Sequence, residues 1–435
     1  MELKMKLERR KIPVVLSFVI AAAIYFILIL KYTVNIPSWD DFDAILAYGN
    51  HPFLERIPDF WSQHNEHRLV FVRLCTELSM AIFRKIDFRF LIILGNLGVL
   101  GLSILFLTLW VKQKLPLSNF IGLLLLIFAP VSWINMIWAL AAIQNLWVLF
   151  FSFLTLITFD VKTRKGVLLS SLFGLMALFS SGSGLIVIGI CFLRTLWDSI
   201  KKAKQDQKLS VIQHSFPLFY YSAFTIIVLM IYFYHYQSPE GHPHFGQTIQ
   251  HPWLMARYFI VFLGSFAGNL TSAKIVGLIF IGWIIYISMR RYYAVNPVLY
   301  GWILFFVLNA AVAMVTRSGF GIKQALDVRY QIVSLMLAGC CYFSMVELFG
   351  LKGKIFQIAQ AGILSLIVLF YGYSIYHAND KMKRHHSILI NKMIRYQTTG
   401  SGLHYPVEKE SRAIGILRKA ISKGRYQMPA LKTEE

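Results

Sequence analysis

The chain has 435 residues, 57% of them hydrophobic, and its 43 lysines and arginines against 21 acidic residues give a formal net charge of +22. A mean hydropathy of +0.59 excludes an ordinary soluble domain and predicts an all-α, polytopic integral membrane protein. The basic residues are spread among loops without a compact nucleic-acid-binding motif, which argues against DNA or RNA as a partner. The positive charge instead predicts contact with membrane lipids through anionic headgroups.

The first predicted span runs from Pro13 to Tyr32, about the 20 residues needed to cross a bilayer. Basic residues crowd the segment before it: Lys4, Lys6, Arg9, Arg10 and Lys11. Because cytoplasmic flanks of spans carry an excess of lysine and arginine, we expect the N-terminus in the cytoplasm. The run is too long for a signal-peptide core and no small-residue cleavage site follows, so it is predicted to be an uncleaved anchor.

The first outer loop, residues 33–87, is unusually acidic. It carries seven carboxylates between Ser38 and Glu77: Asp40, Asp41, Asp43, Glu55, Asp59, Glu66 and Glu77. A membrane protein that gathers its acids beside a bilayer surface is expected to do chemistry, or to bind a cation, at that loop.

Asp40 and Asp41 are the predicted catalytic residues. Asp160, Asp198 and Asp206 fall in predicted cytoplasmic loops, and Glu347 lies near a cytoplasmic helix end. The outer acids are those of the first loop, with Asp87, Glu240, Asp327 and those of the tail, and a base on the outer face is expected to come from Asp40, Asp41, Asp43 or Glu66. A carboxylate half desolvated at the membrane surface has its pKa raised toward the range of a general base. The alternative is that Asp40 or Ser38 simply caps a helix starting near Phe42.

His64-Asn65-Glu66-His67-Arg68 packs two imidazoles, a carboxylate and a guanidinium into five residues. On a helix the two histidines would share a face and could bind a divalent metal or a phosphate. The alternative is an interfacial helix that holds the loop through salt bridges. His64, Glu66, His67 and Arg68 are therefore candidate substrate-binding residues.

The later spans are predicted from apolar runs and from the places where lysine and arginine collect: Phe88–Val111, Leu117–Val131, Ala139–Phe159, Val167–Phe179, Leu185–Trp197, Phe216–Tyr236, Ile275–Met289, Val298–Thr316, Val328–Phe349 and Ile355–Tyr376. Trp253–Leu270 contains Arg257 and two glycines, and is predicted to be a re-entrant or surface helix. This gives roughly eleven spans in a domain over residues 1–376. An odd number of spans from a cytoplasmic N-terminus places the basic, partly helical tail, 377–435, outside. The excess of lysine and arginine in the tail favours the cytoplasmic side instead.

Histidines concentrate on the predicted outer side, where all but His214 of the 12 fall. The loop after Tyr236 contains His242 and His244 close together, and with His64 and His67 they are the candidate ligands of a possible divalent metal. The alternative for each is a solvated loop histidine.

The segment from Arg317 to Tyr330 is a further predicted outer loop, with glycines at 319 and 321 that allow a tight backbone path. Its candidate substrate-binding residues are Arg317, Lys323, Gln324, Arg329 and Tyr330, to which the re-entrant segment adds Arg257. Arg329 opens an apolar helix, where an exposed charge is costly unless it meets an anion, and its guanidinium suits a phosphate. The alternative is that Arg329 pairs with Asp327 or with a first-loop acid.

An anchor, an acidic first outer loop, many spans and an outer loop with an arginine near a helix start together resemble the GT-C class of membrane glycosyltransferases. The strings HNEHRLVFVRL, SSGSGL and GIKQALDVRY also resemble poorly characterised bacterial multi-pass proteins. The resemblance implies a GT-C-like fold in the bacterial cytoplasmic membrane, a polyprenyl-phosphate-linked sugar donor, and Asp40 or Asp41 as the catalytic acid. It also implies an active site on the outer side.

The leading hypothesis is therefore an inverting transferase in which a first-loop aspartate deprotonates an acceptor hydroxyl, while arginines or histidines stabilise the departing lipid phosphate. A glycolipid transporter or flippase is one alternative, although the spans hold almost no acids and no paired broken segments. An oligosaccharide polymerase or ligase, centred on the Arg317 and His242 loops, is another.

Overall fold

The computed structural model describes residues 2–160, 163–205, 211–239, 248–350 and 354–430. These ranges are almost entirely helical, which confirms the all-α prediction at the level of fold class. The α-helices are α1 (Glu2–Tyr32), α2 (Ala47–Gly49), α3 (Phe53–Asp59), α4 (Val70–Phe83), α5 (Phe88–Lys112), α6 (Leu117–Ile127), α7 (Trp133–Ile137), α8 (Ala139–Ala141), α9 (Trp147–Thr158), α10 (Arg164–Ser180), α11 (Gly184–Gln205), α12 (Val211–Phe233), α13 (Pro252–Leu263), α14 (Leu270–Met289), α15 (Tyr292–Val295), α16 (Pro297–Arg317), α17 (Gln331–Phe349), α18 (Lys354–Thr399) and α19 (Glu410–Ser422).

Shorter elements join these helices. A π-helical turn, Phe42–Leu46, leads into α2, and another, Ala142–Leu146, links α8 to α9. The 3-10 turns are Pro130–Ser132, Ser265–Ala267, Ser318–Phe320, Ile322–Leu326 and Val407–Lys409. Two short antiparallel strands, β1 (Gln63–His64) and β2 (His67–Arg68), form a hairpin.

Eight helical segments within the described ranges are long and apolar enough to cross a membrane: Ile12–Tyr32, Phe88–Lys112, Leu117–Ile137, Ala139–Thr158, Leu270–Met289, Pro297–Phe320, Gln331–Phe349 and Gln357–Thr399. The chain is therefore a membrane-embedded protein by the length and composition of its helices. Since α10, α11 and α12 are helical as well, the count of roughly eleven spans stays a prediction.

The predicted re-entrant or surface segment contains a helix too short to cross a bilayer. Helix α13 has 12 residues, so it rises about 18 Å, well below the roughly 30 Å of a hydrocarbon core. It packs closely on α14, because a Cβ atom at Gly277 would lie 2.0 Å from the carbonyl oxygen of Ile260. Glycine is required at that contact.

Helix α18 is the largest departure from the predicted spans. It does not end near Tyr376 but continues to Thr399 over 46 residues, so the predicted boundary at 376/377 falls inside one helix. The extension stays helical because a stripe of its residues is buried at spacings of three and four: Ala378, Met382, His385, Leu389, Met393 and Tyr396.

The chain divides into two compact units. The first comprises the residues up to Ser62, Leu69–Trp147 and those from Asp327 onward; the second comprises Gln63–Arg68 and Val148–Leu326. In the first, the buried Asn96 amide accepts a hydrogen bond from Tyr25 and donates to the carbonyl of Met136. In the second, Phe153 stacks on Trp302 with ring centroids 4.0 Å apart.

Within the first unit the C-terminal tail packs against the first loop. Helix α19 buries Ala413, Leu417 and Ala420 on one face, and the amide of Asn50 donates to the carbonyl of Ile416 at 3.0 Å. The tail therefore lies on the same side of its unit as the first loop, and the placement of both outside the cytoplasm stays a prediction.

This placement predicts a labelling pattern. Single cysteines replacing the exposed Glu55 and the exposed Ser411 should both react with a membrane-impermeant maleimide in intact cells. The native cysteines are buried and should give little background. A cysteine at Lys112, at the far end of the 25-residue α5, should react only after permeabilisation. Labelling at 55 but not at 411 would contradict the shared side.

Candidate active site

The backbone at Trp39 is held in an unusual conformation by the tail. Trp39 has a φ of +46°, a region that bulky residues rarely occupy. Its N–H donates to the carbonyl of His404 at 3.0 Å, and its ring packs on the His404 ring with centroids 4.5 Å apart. A strained conformation persists only where surrounding contacts stabilise it, and here the contacts with His404 of the tail do so.

Asp41 anchors this turn from inside. It is 1% exposed, and its two carboxylate oxygens accept the N–H groups of Ser38 at 3.1 Å and Leu140 at 3.0 Å. Asp41 occupies the position before the Phe42–Leu46 turn but makes no side-chain capping bond there. Its carboxylate ties the first loop to the start of α8, which favours a structural role over a catalytic one.

Burial makes Asp41 a source of pH-dependent stability. Desolvation, opposed by the two N–H bonds, raises its pKa to about 8, from about 3.9 in an unfolded chain. A folded pKa above the unfolded one contributes stability that is complete below about pH 4 and is lost as pH rises through 8. We therefore expect the melting temperature of the wild type to fall between pH 5 and 8.

Asp41→Asn is the corresponding variant. It should be less stable at pH 5, because an amide nitrogen would oppose one of the two N–H donors, but its stability should change little with pH. Thermal unfolding in detergent across the pH range measures both effects. An unchanged pH dependence in Asp41→Asn would contradict this assignment.

Asp43, two residues on, binds the tail. The hydroxyl of Tyr405 donates to its carboxylate, and Nε of Arg412 lies 2.8 Å from its Oδ1. Asp41 and Asp43 therefore have different partners, and the Asp41-Phe-Asp43 spacing does not produce a paired-carboxylate site.

Other first-loop acids are engaged in ion pairs. Nε and Nη2 of the buried Arg56 contact the two oxygens of Glu77 at 2.6 and 2.9 Å. Nδ1 of His51 lies 2.6 Å from Asp59. These pairs hold the loop together, so they account for acids that the sequence alone could not separate from a catalytic base.

Asp40 has the environment expected of the reactive carboxylate. It is half-buried and interacts electrostatically with the guanidinium of Arg329, with Asp41 and with Tyr405. Partial burial leaves the Asp40 carboxylate accessible to a bound substrate, which a general base requires, and the guanidinium beside it could bind an anion at the same place.

Arg329 lies immediately before α17 and is fixed on several sides. Its Nη2 and Nε contact the carboxylate of Asp327 at 2.9 and 3.2 Å, and its carbonyl accepts from the buried Asn135 at 3.0 Å. The guanidinium carbon lies 5.6 Å from the ring centroid of Trp138. The pairing with Asp327 that the sequence left open is therefore confirmed. A guanidinium has five N–H donors, so this pairing leaves Arg329 able to bind an anion as well.

Aromatic rings and imidazoles pack together beside Arg329, which contacts the ring of Trp138. The Trp39 ring lies 4.9 Å from Trp138 and 5.3 Å from His385, and His385 lies 5.3 Å from His404 and 5.7 Å from Trp133. We call these five residues the aromatic cluster. Flat apolar faces beside polar edges suit a ligand that is itself amphipathic.

His404 is neutral in this cluster. Burial, aided by the neighbouring His385 and Lys392, lowers its pKa to about 3. Its Nδ1 lies 2.6 Å from the hydroxyl of Ser38. A neutral imidazole can position a hydroxyl group without adding charge beside Asp40 and Arg329.

The His64–Arg68 motif, which belongs to the second unit, is not helical as predicted. His64 and His67 are directly opposed partners across the β1–β2 hairpin, because Asn65 takes a left-handed φ of +48° and turns the chain. Nδ1 of His67 accepts the N–H of Gly182 at 3.1 Å, so its proton sits on Nε2, 3.5 Å from Glu66. Glu66 also pairs with Arg317.

Arg68 has a structural position in the same unit. It is 4% exposed, and its guanidinium donates to the carbonyls of Tyr232 and Tyr234 at the end of α12. A cation at a helix C-terminus satisfies carbonyls that the helix leaves unpaired. This explains a buried arginine without a substrate.

The remaining predicted residues are dispersed. Arg257 is half-buried on α13, and Lys323 is exposed; Gln324 accepts a hydrogen bond from Tyr258. Tyr330 precedes α17 in the first unit. His242 and His244 lie outside the described residues. Within the described ranges, no three His, Cys, Asp or Glu side chains are grouped so that they could hold a metal ion.

His385, His404, Trp133 and Trp138 are site residues that no local sequence pattern indicates. The tail histidines are predicted to lie on the outer side, but nothing local links them to Trp39, which lies more than 340 residues earlier. No family model, curated protein or solved structure matches this chain.

Proposed function

We propose that this protein is a membrane glycosyltransferase that moves a sugar from a polyprenyl-phosphate donor to an acceptor on the outer face of the bacterial cytoplasmic membrane. The observation that supports it best is the proximity of Asp40, Arg329 and the aromatic cluster, near the ends of apolar helices. A carboxylate, a guanidinium and flat apolar rings are the groups that this reaction needs for its acceptor, its phosphate and its sugar.

In the proposed reaction Asp40 accepts the proton of an acceptor hydroxyl. The hydroxyl oxygen forms a bond to the anomeric carbon, and the bond from that carbon to the phosphate oxygen breaks with its electron pair on the phosphate. Arg329 neutralises the charge that develops there, and a single displacement inverts the anomeric configuration. Asp41 and Asp327 are positioning residues, which hold the Asp40 turn and the Arg329 guanidinium.

The direct test supplies purified protein in nanodiscs with a panel of synthetic polyprenyl-phosphate sugars and measures release of polyprenyl phosphate. We expect at least one donor to be cleaved. Movement of intact donor between leaflets, without cleavage, would instead indicate a flippase. Cleavage that needs Arg317 but not Asp40 would favour a polymerase or ligase.

Arg329→Lys should lose most activity although it keeps the positive charge. An ammonium cannot reproduce the planar fork that Arg329 makes with Asp327, so it cannot hold a phosphate in the same position. We expect a fall of about 100-fold in kcat, the scale of losing one donor to a developing oxyanion. Arg384→Lys, at an exposed ion pair with Asp380, is the matched control. Full activity of Arg329→Lys would exclude a bidentate phosphate contact.

A further inference from the structure

A buried asparagine holds the backbone of Arg329. Asn135, on α7, is fully buried, and its Nδ2 donates to the Arg329 carbonyl at 3.0 Å. The N–H that would reach this carbonyl in a regular α-helix, that of Val333, donates to Tyr330 instead. A carbonyl oxygen can only accept, so Asn135 must turn its Nδ2 toward Arg329 and its Oδ1 away.

Asn145 completes a directed chain of hydrogen bonds. Its Nδ2 donates to the Oδ1 of Asn135 at 2.9 Å, so the chain runs from Asn145 through Asn135 to the Arg329 carbonyl. If the amide of Asn135 were reversed, its Oδ1 would face the Arg329 carbonyl, and neither oxygen can donate. The Asn145 donor therefore selects the orientation of Asn135 that holds Arg329. We call Asn145 and Asn135 the asparagine chain.

Asn145 is presented by the π-helical turn Ala142–Leu146, which packs tightly on α5. A Cβ atom on Gly95 of α5 would lie 2.5 Å from the Cβ of Ala142, so only glycine permits this contact. Single π-helical turns are uncommon and are frequent at functional sites. The close packing on α5 gives Asn145 a fixed support.

The segment that contains Asn135 also reaches the turn of the proposed base. The ring centroid of Trp138 lies 5.6 Å from the guanidinium carbon of Arg329. The N–H of Leu140 donates to the carboxylate of Asp41 at 3.0 Å. One short segment therefore contacts both the arginine and the turn that carries the proposed base, so a displacement of this segment would disturb both.

We propose that Asn145 is a positioning residue of the candidate active site, which acts through Asn135 to aim the Arg329 guanidinium at the donor phosphate. This inference rests on the proposed function and adds a residue to its phosphate site. Asp327 holds the guanidinium itself, whereas the asparagine chain holds the backbone from which that side chain projects. A misplacement of about 1 Å can cost about 100-fold in rate, so this backbone bond is important although Asn145 does not contact the substrate.

The test is a double-mutant cycle on full-length protein in nanodiscs, which combines Asn145→Asp with Arg329→Lys. Farnesyl phosphate is the binding probe, because it offers a lipid phosphate without a sugar to transfer. A carboxylate at position 145 has no N–H to donate, so Asn135 loses the partner that orients it. We expect Asn145→Asp to weaken binding of farnesyl phosphate about tenfold, the scale of one hydrogen bond. In the Arg329→Lys protein the same substitution should change binding less than about twofold, because the two effects share one path.

Asn145→Ala is the second variant, because it removes the donor without adding a charge and should show the same coupling to Arg329. Asn296→Ala is the matched control. The buried Asn296 side chain caps α16 in the second unit, so its loss should lower the melting temperature while the affinity for farnesyl phosphate stays unchanged.

Equal weakening by Asn145→Asp in the wild-type and Arg329→Lys backgrounds would overturn the proposal, since the two residues would then act independently. Wild-type affinity in both Asn145 variants, or binding that does not depend on Arg329, would overturn it as well. Donor cleavage is measured separately. Failure to cleave any donor, with the coupling in farnesyl phosphate binding intact, would reject the transferase and assign the asparagine chain to a lipid-phosphate site without transfer activity.

Discussion

Asp40→Asn should abolish sugar transfer while the protein remains folded. Loss of a general base typically costs about 10²–10⁴-fold in rate, and an amide of the same shape cannot accept the acceptor proton. Asp40 is half-buried, whereas Asp41 is buried and accepts two backbone N–H groups, so Asp40→Asn should lower the melting temperature less than Asp41→Asn does. Donor cleavage and thermal unfolding of the same preparations measure the two effects.

Glu55→Gln is the matched control for this experiment. Glu55 lies in the same first loop and is exposed on α3, so the variant removes one carboxylate without touching the candidate site and should keep full activity. If Asp40→Asn also turned over at the wild-type rate, Asp40 could not be the base, and the mechanism would fail at its first step.

Removal of the tail after Thr399 should have a comparably large effect for a different reason. The truncation deletes His404 from the aromatic cluster, and it removes Tyr405 and Arg412 from Asp43. It also uncovers the first-loop face that α19 covers. We expect activity to fall by at least about 100-fold, the scale of misplacing a catalytic group, together with a lower melting temperature.

A chain that ends at Ala430 keeps every tail contact described here and is the control for this truncation. His404→Ala should give an intermediate loss, because the packing of α19 remains while the hydrogen bond to Ser38 is removed. A stable, active chain ending at Thr399 would show that the first loop forms the site without the tail.

Hydropathy predicted most long helices because each one depends on its own composition. Phe88–Val111 was predicted and α5 is Phe88–Lys112; Val298–Thr316 was predicted and α16 is Pro297–Arg317. Hydropathy does not predict the extension of α18, because the residues on its other faces are polar and only one stripe is buried.

Side-chain roles were harder to predict, because they depend on partners distant in sequence. The sequence is compatible with Arg329 binding an anion or pairing with an acid, and only the structure shows that it pairs with Asp327. Asp40 and Asp41 are neighbours with similar local context, yet Asp41 is buried and accepts the N–H of Leu140, 99 residues away. A local pattern cannot encode such a difference. The prediction that His64 and His67 lie on a helix is wrong for a local reason, because Asn65 adopts a left-handed conformation and turns the chain.

The bond between Ser38 and His404 joins residues 366 positions apart. The ribosome synthesises the first loop well before the tail. The turn at Trp39 therefore cannot be restrained by His404 until the intervening helices have been inserted. Contacts of such sequence separation form late and slowly. Maturation of this protein should therefore end with docking of the tail on the first loop, and a chain that has inserted its helices but not docked its tail should lack the complete candidate site.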